Sequence, residues 1–259
     1  MALDTIQYLL GAGSGGLVGF TLGLVGGGGS ILAVPLMVYL VGVPQPHIAI
    51  GTSALAVAVN AGANLVPHAR AGTIKWRCAS MFAAAGVAGA YAGSTLGKAM
   101  DGQRLLFLFA LLMLVVGALM IRNRKDPGNP DVQCRRENAP KVMGYGLGTG
   151  LFSGFFGIGG GFLIVPALMA STAMPMRNAV GSSLVAVAAF GLTAAVNYAL
   201  SGLVDWALAG VFILSGVAGG IAGTLLSQRL SAMKGLLNTL FAGLIFVVAI
   251  YMLWQSAIR

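Results

Sequence analysis

The sequence predicts an all-α polytopic membrane protein built from two homologous, inverted repeats, each opening with a re-entrant or discontinuous helix broken at glycines. Three observations carry this. Of 259 residues, 58% are hydrophobic and only 8% charged; the uncharged runs have bilayer length; and the chain repeats itself once. A soluble fold of this length cannot hide so much apolar surface, so lipid must cover the remainder.

The runs occupy residues 5–43, 48–66, 78–97, 105–121, 142–176, 178–200, 206–228 and 235–255, where one helical crossing takes about 20 apolar residues. The first is too long, and the residues before it too poor in Lys and Arg, for a cleaved secretory signal; it reads as mature structure. The net charge of +9 comes from residues spread over the loops, the pattern of topology signals and anionic-lipid contacts, so nucleic acid is not an expected partner. Cys78 and Cys134 lack C-x-x-C spacing. Neither a disulfide framework nor a metal site is implied, and both read as free thiols.

Residues 19–35, GFTLGLVGGGGSILAVP, match residues 150–166, GLFSGFFGIGGGFLIVP, and IGTSALAV at 50–57 matches VGSSLVAV at 180–187. Further on, GTIKW at 72–76 aligns with GLVDW at 202–206, and GVAGAYAGS at 86–94 with GVAGGIAGT at 216–224. The first repeat therefore spans residues 1–125 and the second 140–259. Residues 126–139 form the linker, inside a charged, Pro/Gly-containing stretch at 122–141 without apolar periodicity.

Each repeat opens on an overlong apolar run interrupted by glycines: Gly26, Gly27, Gly28 and Gly29 in the first, and Gly157, Gly159, Gly160 and Gly161 around Ile158 in the second. Consecutive glycines are poor helix interior, at about 1 kcal/mol each relative to Ala, so the helix should break there and resume at about Ser30 and Phe162. If both runs cross fully, Lys and Arg divide 10 against 5 between the faces. If both turn back, Arg70, Lys75, Arg77, the six basic residues of 122–141, Arg177, Arg229 and Lys234 share one face, 12 against 3. The second arrangement obeys the positive-inside rule better and puts the linker in the cytoplasm.

Non-helical backbone at membrane depth is tolerated only where protein buries it or a wet cavity receives it. Paired breaks therefore point to a binding site, and helix N-termini facing a gap suit an anion. The hydroxyls of Thr52 and Ser53, and of Ser182 and Ser183, can donate to an oxyanion without placing a full charge in the membrane, although such residues also pack helices and bond to carbonyls one turn back. His47 and Arg177, aligned by the repeat, are candidate gate residues. Asn60, Asn64 and Asn197 are either ligand contacts or interhelical glue. Pro35 and Pro166 support the breaks, and Trp76 and Trp206 read as interfacial anchors. The small-xxx-small spacings Gly89/Gly93/Gly97 and Gly216/Gly220 admit a homodimer contact or close packing inside the protein, the latter being the expected use.

No acidic residue lies deep in an apolar run, which disfavours cation transport. The run GLVGGGGS lacks the Gly-Lys-Ser/Thr ending of a phosphate loop. No nucleotide, metal or other cofactor is implied, and no nucleophile–base pair marks an enzyme.

GLVGGGGSILAVP with IGTSALAV, and GFFGIGGGFLIVP with VGSSLVAV, resemble the sulfite exporter TauE/SafE family of membrane permeases, also called the toluene sulfonate uptake permease family. The resemblance covers nearly the whole chain. It implies passage of sulfite or organosulfonates across a bacterial inner membrane, with the family motifs falling on Gly26 to Ser30, Pro35, Thr52 and Ser53, and on Gly157 to Gly161, Pro166, Ser182 and Ser183. A carrier with alternating access and one central anion site is the expected mechanism. A passive anion channel and a carrier of another small organic anion are the alternatives.

Overall fold

The computed structural model describes residues 4–122, 134, 138–158, 161–229, 243 and 245–255. Among these no strand occurs. The helices are α1 (Thr5–Val25), the short turn α2 (Ala33–Pro35), α3 (Pro46–Arg70), α4 (Trp76–Ala99), α5 (Gly102–Arg122), α6 (Ala139–Phe156), α7 (Gly161–Thr172), α8 (Met176–Ala199), α9 (Trp206–Arg229) and α10 (Ile245–Gln255). Among the described residues, Pro46–Arg70, Met176–Ala199 and Trp206–Leu226 are each long and apolar enough to cross a membrane.

Helix starts follow local chemistry. Pro46 stands at the first turn of α3, where its missing N–H costs nothing. Asp101 accepts from the backbone N–H groups of Gln103 and Arg104 at the start of α5, and Asp205 from Leu208 N at the start of α9. Two of the six carboxylates thus serve as helix caps at the ends of apolar runs. Trp76 and Trp206 open α4 and α9 with exposed indoles, where a membrane interface would hold them.

Two helix pairs pack most closely, α4 with α6 and α1 with α9. Glycines make both possible. Gly19 of α1 faces the Gly216 carbonyl and Gly23 faces Gly220 and Thr224, while Gly219 and Gly223 of α9 meet the carbonyls of Gly16 and Phe20. In the other pair Gly89, Gly93 and Gly97 face the carbonyls of Leu147, Leu151 and Phe155, and Gly150 and Gly154 face Gly86 and Ala90. A Cβ at these positions would strike backbone, so the small-residue faces are used inside the protein, where van der Waals packing holds helices without a hydrophobic drive from lipid.

These contacts set the helix directions. Contact positions rise together along α1 and α9 and along α4 and α6, so each pair is parallel. In α3 and α8 they run oppositely: Gly51 meets Tyr198, and Gly191 meets Ala54 and Ala58. The starts of α3 and α9 and the ends of α4 and α8 therefore share one face, termed upper. The ends of α3 and α9 and the starts of α4 and α8 share the lower face. Phe82 stacks on Phe190 at 6.2 Å between ring centroids in the core, whereas Leu9, Leu214, Leu225 and Val247 point outward, the distribution lipid solvation requires.

One reading is corrected. Cys78 and Cys134 are not free thiols; they form a disulfide with Cα atoms 5.4 Å apart, both side chains buried. Cys134 meets Cys78 at the start of α4, a meeting across 56 residues that spacing alone cannot reveal.

Candidate functional site

Both overlong runs turn back at their glycines. After α1 the chain passes without a gap into a 3-10 helix, Gly26–Leu32, containing Ser30, which is fully buried. The resumption is thus a 3-10 helix from Gly26, not an α-helix from Ser30. Side chains at i and i+3 eclipse in 3-10 geometry, and glycines have none to eclipse. Pro35 ends the α turn, and a π turn, Leu36–Leu40, follows. The return leg ends at Val41, whose carbonyl accepts from Gln7 Nε2 at 3.1 Å. The chain has come back to the start of α1.

In the second overlong run, Gly157 ends α6 in the left-handed conformation with φ 64°, its N–H bonded to Gly154 O. Its Cβ would collide with Ile50, so glycine is required twice over at this turn. α7 resumes at Gly161, one residue before the expected Phe162, and contains Pro166. Gly159 and Gly160 lie outside the described residues.

The two breaks sit at opposite ends of the molecule. Gly23, just before the first, is level with Thr224 near the lower end of α9, and Gly220 beside it also faces Asn64. Gly157 is level with Ile50 near the upper start of α3. The separation along α3 is about 20 Å at 1.5 Å per residue. The return legs, Gly26–Leu32 and α7, cross between them.

The hydroxyl motifs are also divided between the faces, and their bonds correspond. Thr52 Oγ1 accepts from Asp205 N at 2.9 Å near the upper face, and Ser182 Oγ accepts from Lys75 N at 2.9 Å near the lower. Beside them Gly51 admits the Leu203 carbonyl and Gly181 admits Thr73. Ser53 Oγ and Ser183 Oγ donate one turn back to Ile50 O and Val180 O. Each Gly-Thr/Ser-Ser motif thus docks a loop more than 100 residues away in the chain.

The three amides separate by environment. Asn197 Nδ2 donates to Ser94 Oγ at 2.6 Å and Thr95 Oγ1 at 2.9 Å, while its Oδ1 accepts from Lys98 Nζ at 2.8 Å. Asn64 donates to Asn60 O and accepts from Thr224. Both join helices. Asn60 is fully buried against Gly216, and neither its Nδ2 nor its Oδ1 has a partner among the described residues. Leaving such a group unpaired costs about 1–3 kcal/mol.

Of the gate candidates, His47 lies in the first turn of α3 with Nδ1 buried and unpartnered, its ring 6.4 Å from that of Tyr198. Arg177 is exposed in the first turn of α8, within electrostatic reach of His68. His68 Nδ1 pairs with Thr73 Oγ1 at 3.1 Å. Sequence reasoning missed Tyr198 and Lys98. The available signal was alignment, since Tyr198 stands at the repeat offset of 130 from His68.

Comparison with known proteins bears on the same residues. Residues 11–252 match the family described as Sulfite exporter TauE/SafE. A protein of Xylella fastidiosa (strain Temecula1), named a probable membrane transporter protein, is 56% identical over 254 residues, covering 97% of both chains. The probable membrane transporter protein YunE of Bacillus subtilis (strain 168) is 26% identical over 83% of this chain and 87% of its own. One from Haemophilus influenzae is 31% identical over 65% of each. No solved structure matches. With membrane-length apolar helices and a family match over nearly its whole length, the chain belongs to the sulfite exporter TauE/SafE family of membrane transporters.

Proposed function

We propose that the protein is a secondary carrier of a small anion, foremost a sulfur oxyanion such as sulfite or an organosulfonate, working by alternating access between two inverted repeats. The observation that carries this reading is the direction of the helices. α1 lies parallel to α9 and α6 parallel to α4, while α3 and α8 are antiparallel. Each repeat then copies the other upside down, the arrangement in which rocking of one repeat against the other exposes a site to each side in turn.

In this reading Gly26 to Ser30 meet the anion toward the lower face and Gly157 to Gly161 toward the upper. Backbone N–H groups at the start of α7 offer the positive end of its dipole. Thr52 and Ser182 hold the repeats together where they must slide or hinge. The 12-to-3 division of basic residues supports a cytoplasmic lower face, in a bacterial inner membrane.

Counterflow tests the proposal. Proteoliposomes loaded with unlabelled sulfite should take up radiolabelled sulfite faster than empty ones, saturably, with competition from thiosulfate or sulfoacetate and none from chloride. Uptake that neither saturates nor responds to internal sulfite would indicate a channel. Trans-stimulation by lactate alone would move the substrate to organic carboxylates.

A further inference from the structure

We infer that the upper end of the molecule holds a small-oxyanion site formed by the Tyr198 hydroxyl and His47 Nδ1, with the Lys98 ammonium as its fixed positive charge. The inference rests on the carrier reading and adds named side chains to it.

Tyr198 is fully buried and its hydroxyl has no hydrogen-bond partner among the described residues. Phenylalanine would fill the same space without an unpaired O–H, so the hydroxyl is a cost to the ligand-free protein that a ligand would remove. His47 Nδ1 is a second buried atom without a partner, in the adjacent ring. Lys98 Nζ lies 5.9 Å from the centre of the Tyr198 ring. It donates to Asn197 O at 2.9 Å, Asn197 Oδ1 at 2.8 Å and Ser201 Oγ at 2.8 Å. Three neutral acceptors hold the ammonium in place without cancelling its charge.

The second break reaches the same place. The Tyr198 hydroxyl and the Phe155 carbonyl both lie against Gly97, and Gly157 lies against Ile50, one turn along α3 from His47. The available groups are a phenol O–H, an imidazole nitrogen that donates when protonated there and an ammonium. That set fits an anion with several acceptor oxygens. A cleft of about 320 Å3 opens on the same upper face, lined by Gln45 and Ile48 on either side of the first turn of α3 and by Gly202, Val204, Asp205 and Trp206. The Asp205 carboxylate at its rim is turned to Leu208 N as the cap of α9. The lower face has different groups at the aligned positions, His68 for Tyr198 and Arg177 for His47, so the two ends would not bind alike.

Thermal melting of the purified full-length protein in detergent, titrated with sodium sulfite against sodium chloride at matched ionic strength, tests this. Wild type should gain stability saturably with sulfite. Tyr198→Phe should melt at the same or a higher temperature than wild type without anion, showing that it folds, yet need about tenfold or more sulfite for half the shift. His47→Gln should weaken the response similarly. Equal sulfite shifts in wild type and both variants would overturn the site while leaving the carrier reading intact. Absence of a saturable shift in wild type with sulfite, thiosulfate and sulfate would also overturn it, and the carrier reading would then stand or fall on counterflow.

Discussion

At Thr52 and Ser182 a single oxygen accepts a backbone N–H from a loop more than 100 residues away, so truncation leaves that N–H without its acceptor. Thr52→Ala and Ser182→Ala should each destabilise the protein by about 1–3 kcal/mol. Because the two bonds lie about 20 Å apart along the helix axes, the losses should add in the double variant. Thr52→Ser should restore most of the first loss. Chemical denaturation in detergent micelles reads all four. Asn60 predicts the opposite sign. Its amide is buried without partners among the described residues, so Asn60→Leu, which keeps the branching of the side chain, should raise stability without ligand by up to about 1–2 kcal/mol. A fall instead would mean that the amide is paired in the membrane by water.

At the scale of elements, the glycine stripes and the glycine breaks have different physics although composition does not distinguish them. In α1, α4, α6 and α9 the absent Cβ lets two backbones touch; in residues 26–29 and at Gly157 it lets the chain reverse. Gly19→Leu should therefore wedge α1 from α9 and cost about 1–3 kcal/mol or more, lowering the melting temperature and the folded yield. Gly148→Leu, at a helical glycine with nothing within 4 Å of an added Cβ, should be near neutral by the same assay. Both glycine breaks were legible in the sequence because helix propensity is local. The 3-10 character of the first return leg was not, since it depends on how Leu22 and Thr21 accommodate Gly29 across the turn.

For the whole molecule, the charge distribution and the cysteine pair bear on the same face with opposite implications. Twelve of the fifteen basic residues, from Arg70 to Lys234, fall on the lower side in the turned-back arrangement, which argues for the cytoplasm. The Cys78–Cys134 bond lies there too, and cytosolic thiols are kept reduced. A cytoplasmic lower face therefore predicts that this bond, formed in the structure, is opened to two thiols in growing cells. Alkylating intact cells with a permeant mass-tagged maleimide before lysis decides it. Two tags per chain support a cytoplasmic lower face; an untagged, already oxidised pair would invert the orientation.

By itself the sequence determined that the protein is a helical membrane protein and where its two overlong apolar runs break at glycines. Hydropathy, helix propensity and self-similarity are properties of neighbouring residues, and Trp76, Gly157 and Pro46 behave as their local chemistry requires. Tertiary structure decided which of the polar residues are occupied. Thr52 meets a backbone N–H 153 residues away and Asn197 meets Ser94 across 103, while Asn60 and the Tyr198 hydroxyl meet none among the described residues. It also separated the two glycine breaks to opposite faces, where sequence reasoning expected one central site. The physical reason is that a hydrogen bond reaches only about 3 Å. Whether two groups come that close depends on the direction and register of the helices carrying them, and in this molecule both are set by carbonyls seated against glycines on distant helices.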